Sequence, residues 1–78
     1  MGNLIPGSVE YNVLLYSVSE PGEWRAEDIV ADLPECDADQ VARAVGSLEA
    51  AGFIHQNRTD CRLWPLRAGR SALQQLAV

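Results

Sequence analysis

One segment near the middle of the chain carries sequence signals for both ends of a single helix, and it constrains the fold more than any other stretch. Asp37 is a good N-cap, and Gln40, three residues later, completes the pattern of a capping box. Gly52 stands where a helix commonly ends in the left-handed conformation. These signals predict a helix over about residues 38–51. Its apolar positions at helical spacing are Val41, Val45 and Leu48.

Two short strand patterns follow this helix, at residues 53–56 and 61–64. The residues between them, Asn57 to Asp60, are polar turn formers. No Asn-Gly pair is present, so we expect a longer hairpin loop rather than a two-residue turn. Pro65 ends the second strand.

Three further helices are predicted around this unit. Ser8 is a good N-cap for the first helix. Its apolar stripe consists of Tyr11, Leu14, Leu15 and Val18. A second stripe on it, either core or a dimer contact, consists of Val9, Val13 and Tyr16. Trp24 lies in a short extended piece, after which the second helix runs over about residues 26–33 and stops at Pro34. A last helix over about residues 67–77 is expected to bury Leu66, Leu73 and Leu76.

The fold class predicted from this order is mainly α with a small β-hairpin. The 78 residues fit one domain over residues 8–78, preceded by an irregular, flexible arm at residues 1–7. The chain has no apolar run near membrane-spanning length and no signal-peptide pattern, so we expect a cytoplasmic protein without membrane contact. Two cysteines outside any CxxC pair and a single histidine predict neither a metal site nor a cofactor. The chain also lacks a nucleophile beside a base and a phosphate loop, and it is therefore not expected to be an enzyme.

A tight turn, Pro34-Glu35-Cys36, joins the second and third helices. In such a helix-turn-helix pair, the second helix can enter the major groove of DNA. Its predicted outward face consists of Asp39, Gln40, Arg43, Ala44 and Ser47. Glutamine can pair with adenine edges and arginine with guanine edges, while a small Ala44 would let the helix approach closely. Alternatively, Arg43 pairs with Asp39 or Glu49 as a surface charge.

The hairpin loop adds a second set of candidate DNA contacts. Arg58 and Arg62 suit phosphates or a minor groove, and Asn57 and Thr59 add hydrogen-bonding groups. The alternative for the two arginines is an ordinary edge-strand charge that blocks aggregation.

Charge is distributed unevenly along the chain, whose net charge is −5. Residues 1–42 contain nine acidic residues and a single base, Arg25, whereas the remainder holds five arginines and two acidic residues. A negative net charge argues against a nucleic-acid partner. Because salt screens charges beyond about 10 Å, however, the charge of the local surface matters more than the net charge of the chain.

Three stretches resemble the winged helix-turn-helix domains of bacterial and archaeal transcription regulators. The run from Asp39 to Ile54 is similar to the recognition helix and its turn into the wing. Residues 63–73 resemble the return strand and last helix, and residues 21–29 the strand entering the second helix. The resemblance covers about residues 8–77. It implies a three-helix core, a wing and a C-terminal helix, with DNA binding, usually by a homodimer.

The sequence is therefore compatible with two functions. In the first, the protein is a DNA-binding transcription regulator with helix 38–51 in the major groove of double-stranded DNA and wing 57–62 on the backbone. The predicted contacts are Gln40, Arg43, Ala44, Ser47, Asn57, Arg58, Thr59 and Arg62. In the second, the same fold is a protein-interaction adaptor that meets a basic protein partner through its acidic N-terminal half and does not bind DNA.

Overall fold

Four α-helices and one antiparallel hairpin make up the described part of the chain. The computed structural model describes Ile5 and residues 7–76, and nothing is stated about the side chain of Leu76. In chain order the elements are α1 (Val9–Ser19), α2 (Ala26–Asp32), α3 (Ala38–Ala50), β1 (Ile54–Gln56), β2 (Leu63–Pro65) and α4 (Arg67–Leu76). Most of the predicted arm at 1–7 and the predicted end of the last helix at 77 lie outside the described residues. Within those residues, no helix combines the length and apolar character that crossing a membrane requires.

Both ends of α3 have the predicted local structure. The Asp37 carboxylate accepts a hydrogen bond from the Gln40 amide at 2.8 Å, and the Gln40 side chain accepts from the Asp37 amide at 2.9 Å. At the other end, Gly52 has a φ of +80°, which a residue with a side chain rarely adopts. The Phe53 amide then donates to the Leu48 carbonyl at 2.9 Å, closing a Schellman motif.

One apolar core is shared by α1, α2, α3 and the hairpin. Its fully buried members come from α1, α2, α3 and both strands, and the largest are Val13, Leu14, Ile29, Val41, Ile54 and Leu63. Val13 therefore belongs to the core, and Val9 and Tyr16 pack against it as half-buried residues.

Two leucines predicted to be buried are exposed. Leu15 is 42% exposed because the buried face of α1 is rotated toward Val13 and Ser17, which leaves Leu15 on the outer side. Leu66 is 39% exposed at the junction of β2 and α4. The prediction was wrong for both, since apolar spacing alone did not fix how far each element is rotated.

The hairpin is longer at its turn than predicted. The pairs are Ile54 with Pro65, His55 with Trp64, and Gln56 with Leu63. The second strand was predicted at 61–64 but begins at Leu63, because the turn continues through Cys61, whose φ is 63°. The Cys61 amide donates to the Asn57 carbonyl at 2.8 Å within this turn.

The extended piece before α2 is joined to the hairpin, and this contact ties the hairpin to the helical core. Arg25 forms an antiparallel bridge with Arg62. The Leu63 amide donates to the Trp24 carbonyl at 2.8 Å, and the Gly22 amide donates to the Leu63 carbonyl at 3.0 Å. The hairpin therefore does not stand alone, which matters because an isolated two-stranded hairpin is marginally stable in water.

A hydrogen bond between α1 and α2 gives a pH-dependent prediction. The Tyr16 hydroxyl donates to the Asp32 carboxylate. This bond, with partial burial and the charges of Asp32 and Glu35, raises the pKa of Tyr16 from 10.0 to about 12. The protonated phenol thus stabilises the fold below about pH 10, and that contribution is lost as the pH rises from about 10 to about 12.

We expect Asp32→Asn to lower the pKa of Tyr16 toward 10.0, because the charged acceptor is removed. Phenolate absorbance recorded against pH measures the shift, and Tyr16→Phe identifies which titration step belongs to Tyr16. An unchanged titration in Asp32→Asn would contradict the assigned cause.

Candidate nucleic-acid interface

Ala44 does not lie on the outer face of α3, contrary to the sequence prediction. Its residue surface is only 1% exposed. It follows Val41 by three positions and precedes Leu48 by four, and both of these residues are in the core, so the helix turns all three to one side. Ala44 is therefore a core residue, and it cannot contact a DNA groove.

Arg43 and Ser47 do lie on the exposed face of α3, in line with Asp39. Apart from Gln40, the exposed positions next to them are small, namely Ala42, Gly46 and Ala50. Within the described part of the chain, no carboxylate lies at ion-pair distance from Arg43, so the alternative pairing with Asp39 or Glu49 is not observed. Arg43 is therefore the one long cationic side chain on an α3 surface made mostly of small residues.

Gln40 is exposed but is already used by the fold. Its side-chain oxygen accepts the Asp37 amide hydrogen bond that completes the capping box. Bidentate pairing with adenine needs both the oxygen and the amide nitrogen of a glutamine. Gln40 would have to give up the cap to read adenine in that way, so the amide nitrogen is the group it has free for a ligand.

The hairpin turn orients its polar residues through short-range hydrogen bonds. The Asn57 side-chain oxygen accepts from the Thr59 amide at 2.8 Å, and the Asp60 carboxylate accepts from the Arg62 amide at 3.0 Å. Asn57 is consequently a turn-forming residue, half-buried at the base of the loop, while Arg58 and Thr59 are exposed at its tip.

Arg62 links the hairpin to a distant part of the chain. Its guanidinium donates to the Gly22 carbonyl at 3.0 Å and lies 3.8 Å from the Asp60 carboxylate. Its side chain remains 44% exposed, so it can still reach a ligand from one edge only. Nothing in the sequence pointed to Gly22 as its partner, although Asp60, two residues earlier, was visible as a candidate.

Arg58, unlike Arg62, has no carboxylate partner among the described residues. It is exposed, and among the residues described no carboxylate lies at ion-pair distance from it. Arg25 is like Arg62 in this respect, since Glu27 and Asp28 lie 3.6 Å and 3.4 Å from its guanidinium.

The end of α3 and the hairpin turn meet at a polar depression of about 200 Å³. Its lining residues are Glu49, Gln56, Asn57, Arg58 and Cys61. The Gln56 amide lies 3.5 Å from the Glu49 carboxylate, a long hydrogen bond that holds the strand beside the helix. This contact sets α3 and the hairpin turn next to each other on one side of the molecule.

The charge around this surface is nearly balanced. Residues 37–66 contain four acidic residues and three arginines. Arg70 does not add to it, because it lines a different groove, between α1 and α4. Any polyanion held here would therefore depend on a few individual arginines, with no broad positive field to attract it.

Comparison of the chain with protein-family models, with curated proteins and with solved structures gave no match. In the described range, the structure contains no group of three or more His, Cys, Asp or Glu residues arranged to hold a metal ion.

Proposed function

We propose that this protein is a winged helix-turn-helix domain that binds double-stranded DNA and regulates transcription, with α3 in the major groove and the hairpin as the wing. The observation that carries the proposal is the pairing pattern of the arginines. Arg43 on α3 and Arg58 on the hairpin turn are exposed and free of carboxylate partners among the described residues, whereas Arg25 and Arg62 are paired. Arg67 and Arg70 on α4 are also exposed and have no ion-pair partner in the described part of the chain. Of these four arginines, however, only Arg43 and Arg58 lie on the elements that meet at the Glu49 contact.

The proposed contacts divide between base recognition and backbone binding. Arg43 is assigned to guanine edges and Ser47 to a neighbouring base or phosphate. The small residues Ala42, Gly46 and Ala50 allow the helix backbone to approach the groove. Arg58 and Thr59 are assigned to phosphates beside it. Arg62 mainly holds the turn in place through Gly22.

Binding by one copy is expected to be weak, since few cations contribute and nearby carboxylates repel phosphates. A homodimer on a two-fold site would double the contacts, and we propose this arrangement for the DNA-bound state.

The test is a titration of fluorescently labelled mixed-sequence duplex DNA with the protein, read by anisotropy at several salt concentrations. Affinity is expected to fall steeply between about 50 and 200 mM salt, because binding releases counterions. Arg58→Ala is expected to lower the slope of log affinity against log salt by about one, since it removes one phosphate contact. Arg43→Ala is expected to weaken binding and to relax sequence preference in a selection experiment.

Arg25→Ala is the matched control, because it removes a cation that is already paired with Glu27 and Asp28. If Arg43→Ala and Arg58→Ala bind DNA as well as Arg25→Ala does, the assigned interface is incorrect. No measurable affinity at about 50 mM salt would contradict DNA binding itself and favour the adaptor function.

A further inference from the structure

A shallow apolar groove of about 350 Å³ lies between α1 and α2. Its lining residues are Asn12, Leu15, Tyr16, Ser19, Glu20 and Leu33. Leu15 is 42% exposed there. None of these residues belongs to α3 or the hairpin, so the groove is separate from the proposed DNA interface.

An acidic depression of about 370 Å³ adjoins this groove. Its lining residues are Glu20, Glu23, Trp24 and Asp28. Glu20 lines both features. Tyr16 lines the groove and Trp24 lines the depression, and their ring centroids are 4.5 Å apart with planes tilted by 59°. The depression is thus lined by the half-buried Trp24 and three carboxylates, next to a groove that contains Leu15 and Leu33.

Of the three carboxylates in the depression, that of Asp28 is paired with Arg25, whereas Glu20 and Glu23 have no ion-pair partner among the described residues. The other arginine close by is Arg62, whose guanidinium donates to the Gly22 carbonyl and is paired with Asp60. Glu20 accepts a hydrogen bond from the Trp24 indole at 3.0 Å, which leaves its charge uncancelled. Glu23 is exposed, and within the described residues no base lies at ion-pair distance from it.

We propose that the α1–α2 groove, together with this acidic depression, is a docking site for a basic amphipathic helix of a partner protein. Apolar residues of that helix pack on Leu15 and Leu33, following the usual helix-in-groove mode. A lysine or arginine from its polar side lies over Trp24 and faces Glu20 and Glu23, which combines cation–π attraction with charge complementarity.

Charge selects this occupant over the alternatives. DNA would be repelled by the carboxylates. A second copy is a poor fit, because the chain's own arginine-bearing helix, α4, already packs on its own core through Leu73. On the other side of Leu15, a groove between α1 and α4 has Arg70 at its edge, so a basic helix is directed to the α1–α2 side.

The test uses a synthetic amphipathic helix of about 15 residues with leucine on one face and lysine or arginine on the other. Two control peptides keep the length but replace either the basic residues by glutamate or the leucines by serine. Peptide is added to isotope-labelled protein, and amide NMR shifts locate the contact. Shifts on α1 and α2, including Leu15 and Trp24, with binding that weakens in salt and is lost with both control peptides, would support the site.

Leu15→Ala is expected to weaken peptide binding about tenfold or more, because it removes the exposed apolar contact. Leu66→Ala removes a leucine of similar exposure near β2 and α4 and is expected to leave binding unchanged. Glu20→Gln with Glu23→Gln is expected to reduce both affinity and its salt dependence. DNA binding should be the same in all of these variants, which separates this proposal from the DNA interface.

Three results would overturn the docking site. The first is NMR shifts centred on α4 or the hairpin. The second is equal binding of the glutamate peptide. The third is self-association of the protein, detected by sedimentation and abolished by Leu15→Ala, which would make the groove a dimer face.

Discussion

Replacing Leu14 by alanine is expected to destabilise the protein by about 2 to 5 kcal/mol. Leu14 is fully buried in the core, and its neighbours cannot close the space that truncation leaves without moving helices. A domain of this size has a total stability of roughly 5 to 10 kcal/mol, so the variant would be marginally folded. Urea unfolding followed by far-UV circular dichroism measures the loss, and each kcal/mol corresponds to about 4 to 8 °C in Tm.

Leu15→Ala is the matched control, since the residue type, the helix and the substitution are the same. Leu15 is 42% exposed, and its truncation is expected to change stability by about 0.5 kcal/mol or less. Equal losses in the two variants would mean that α1 does not bury Leu14 in preference to Leu15.

Gly69→Ala is expected to destabilise the protein by about 1 to 3 kcal/mol, although alanine is normally the better helix former. A Cβ on Gly69 would collide with the backbone carbonyl of Phe53 and come within 3.0 Å of a Leu14 methyl group. The Phe53 carbonyl also accepts the Leu66 amide hydrogen bond at 2.9 Å, so it cannot move aside freely. Relief of the clash would push α4 away from the hairpin.

Gly46→Ala is the comparison variant, for which the change in stability is expected to have the opposite sign. Gly46 lies in α3, is exposed, and has open space around the position of a Cβ. Its substitution is expected to stabilise the protein by up to about 1 kcal/mol through helix propensity alone. If thermal unfolding shows both glycine variants stabilised, the close contact of α4 with Phe53 is not present in solution.

The two proposed surfaces can be tested independently. The DNA interface depends on Arg43 and Arg58, and the docking site depends on Leu15, Glu20 and Glu23, with no residue in common. A regulator that uses both surfaces could hold DNA and a basic partner at the same time. Loss of one activity in its own variants, with the other retained, is the expected pattern.

Of the residues predicted to contact DNA, the structure keeps some exposed and uses others in the fold. Arg43, Ser47, Arg58 and Thr59 are exposed on α3 or the hairpin turn. Four others already have a structural role. Ala44 is in the core and the Gln40 side chain completes the α3 cap. Asn57 forms the hairpin turn, and Arg62 binds the Gly22 carbonyl. The spacing of Ala44 from Val41 and Leu48, at i, i+3 and i+7, already places it on the buried face of α3, so its assignment to the outward face was wrong at the level of the sequence.

The sequence by itself determined the ends of α3 and the start of α1. The Ser8 cap, the Asp37–Gln40 capping box and the Gly52 terminus all rest on hydrogen bonds or backbone angles within a few residues. The residues of each of these interactions are close neighbours in the sequence, so the pattern of residue types is enough to predict where the helix begins or ends.

Only the tertiary structure decided which faces are buried and which charges are free. Leu14 rather than Leu15 enters the core, and Ser17 is buried with its hydroxyl donating to the Val13 carbonyl. Arg62 binds a carbonyl 40 residues earlier in the chain. These outcomes depend on how far each helix is rotated against its neighbours and on which distant groups the packing brings together, and neither quantity is encoded within a few residues of sequence.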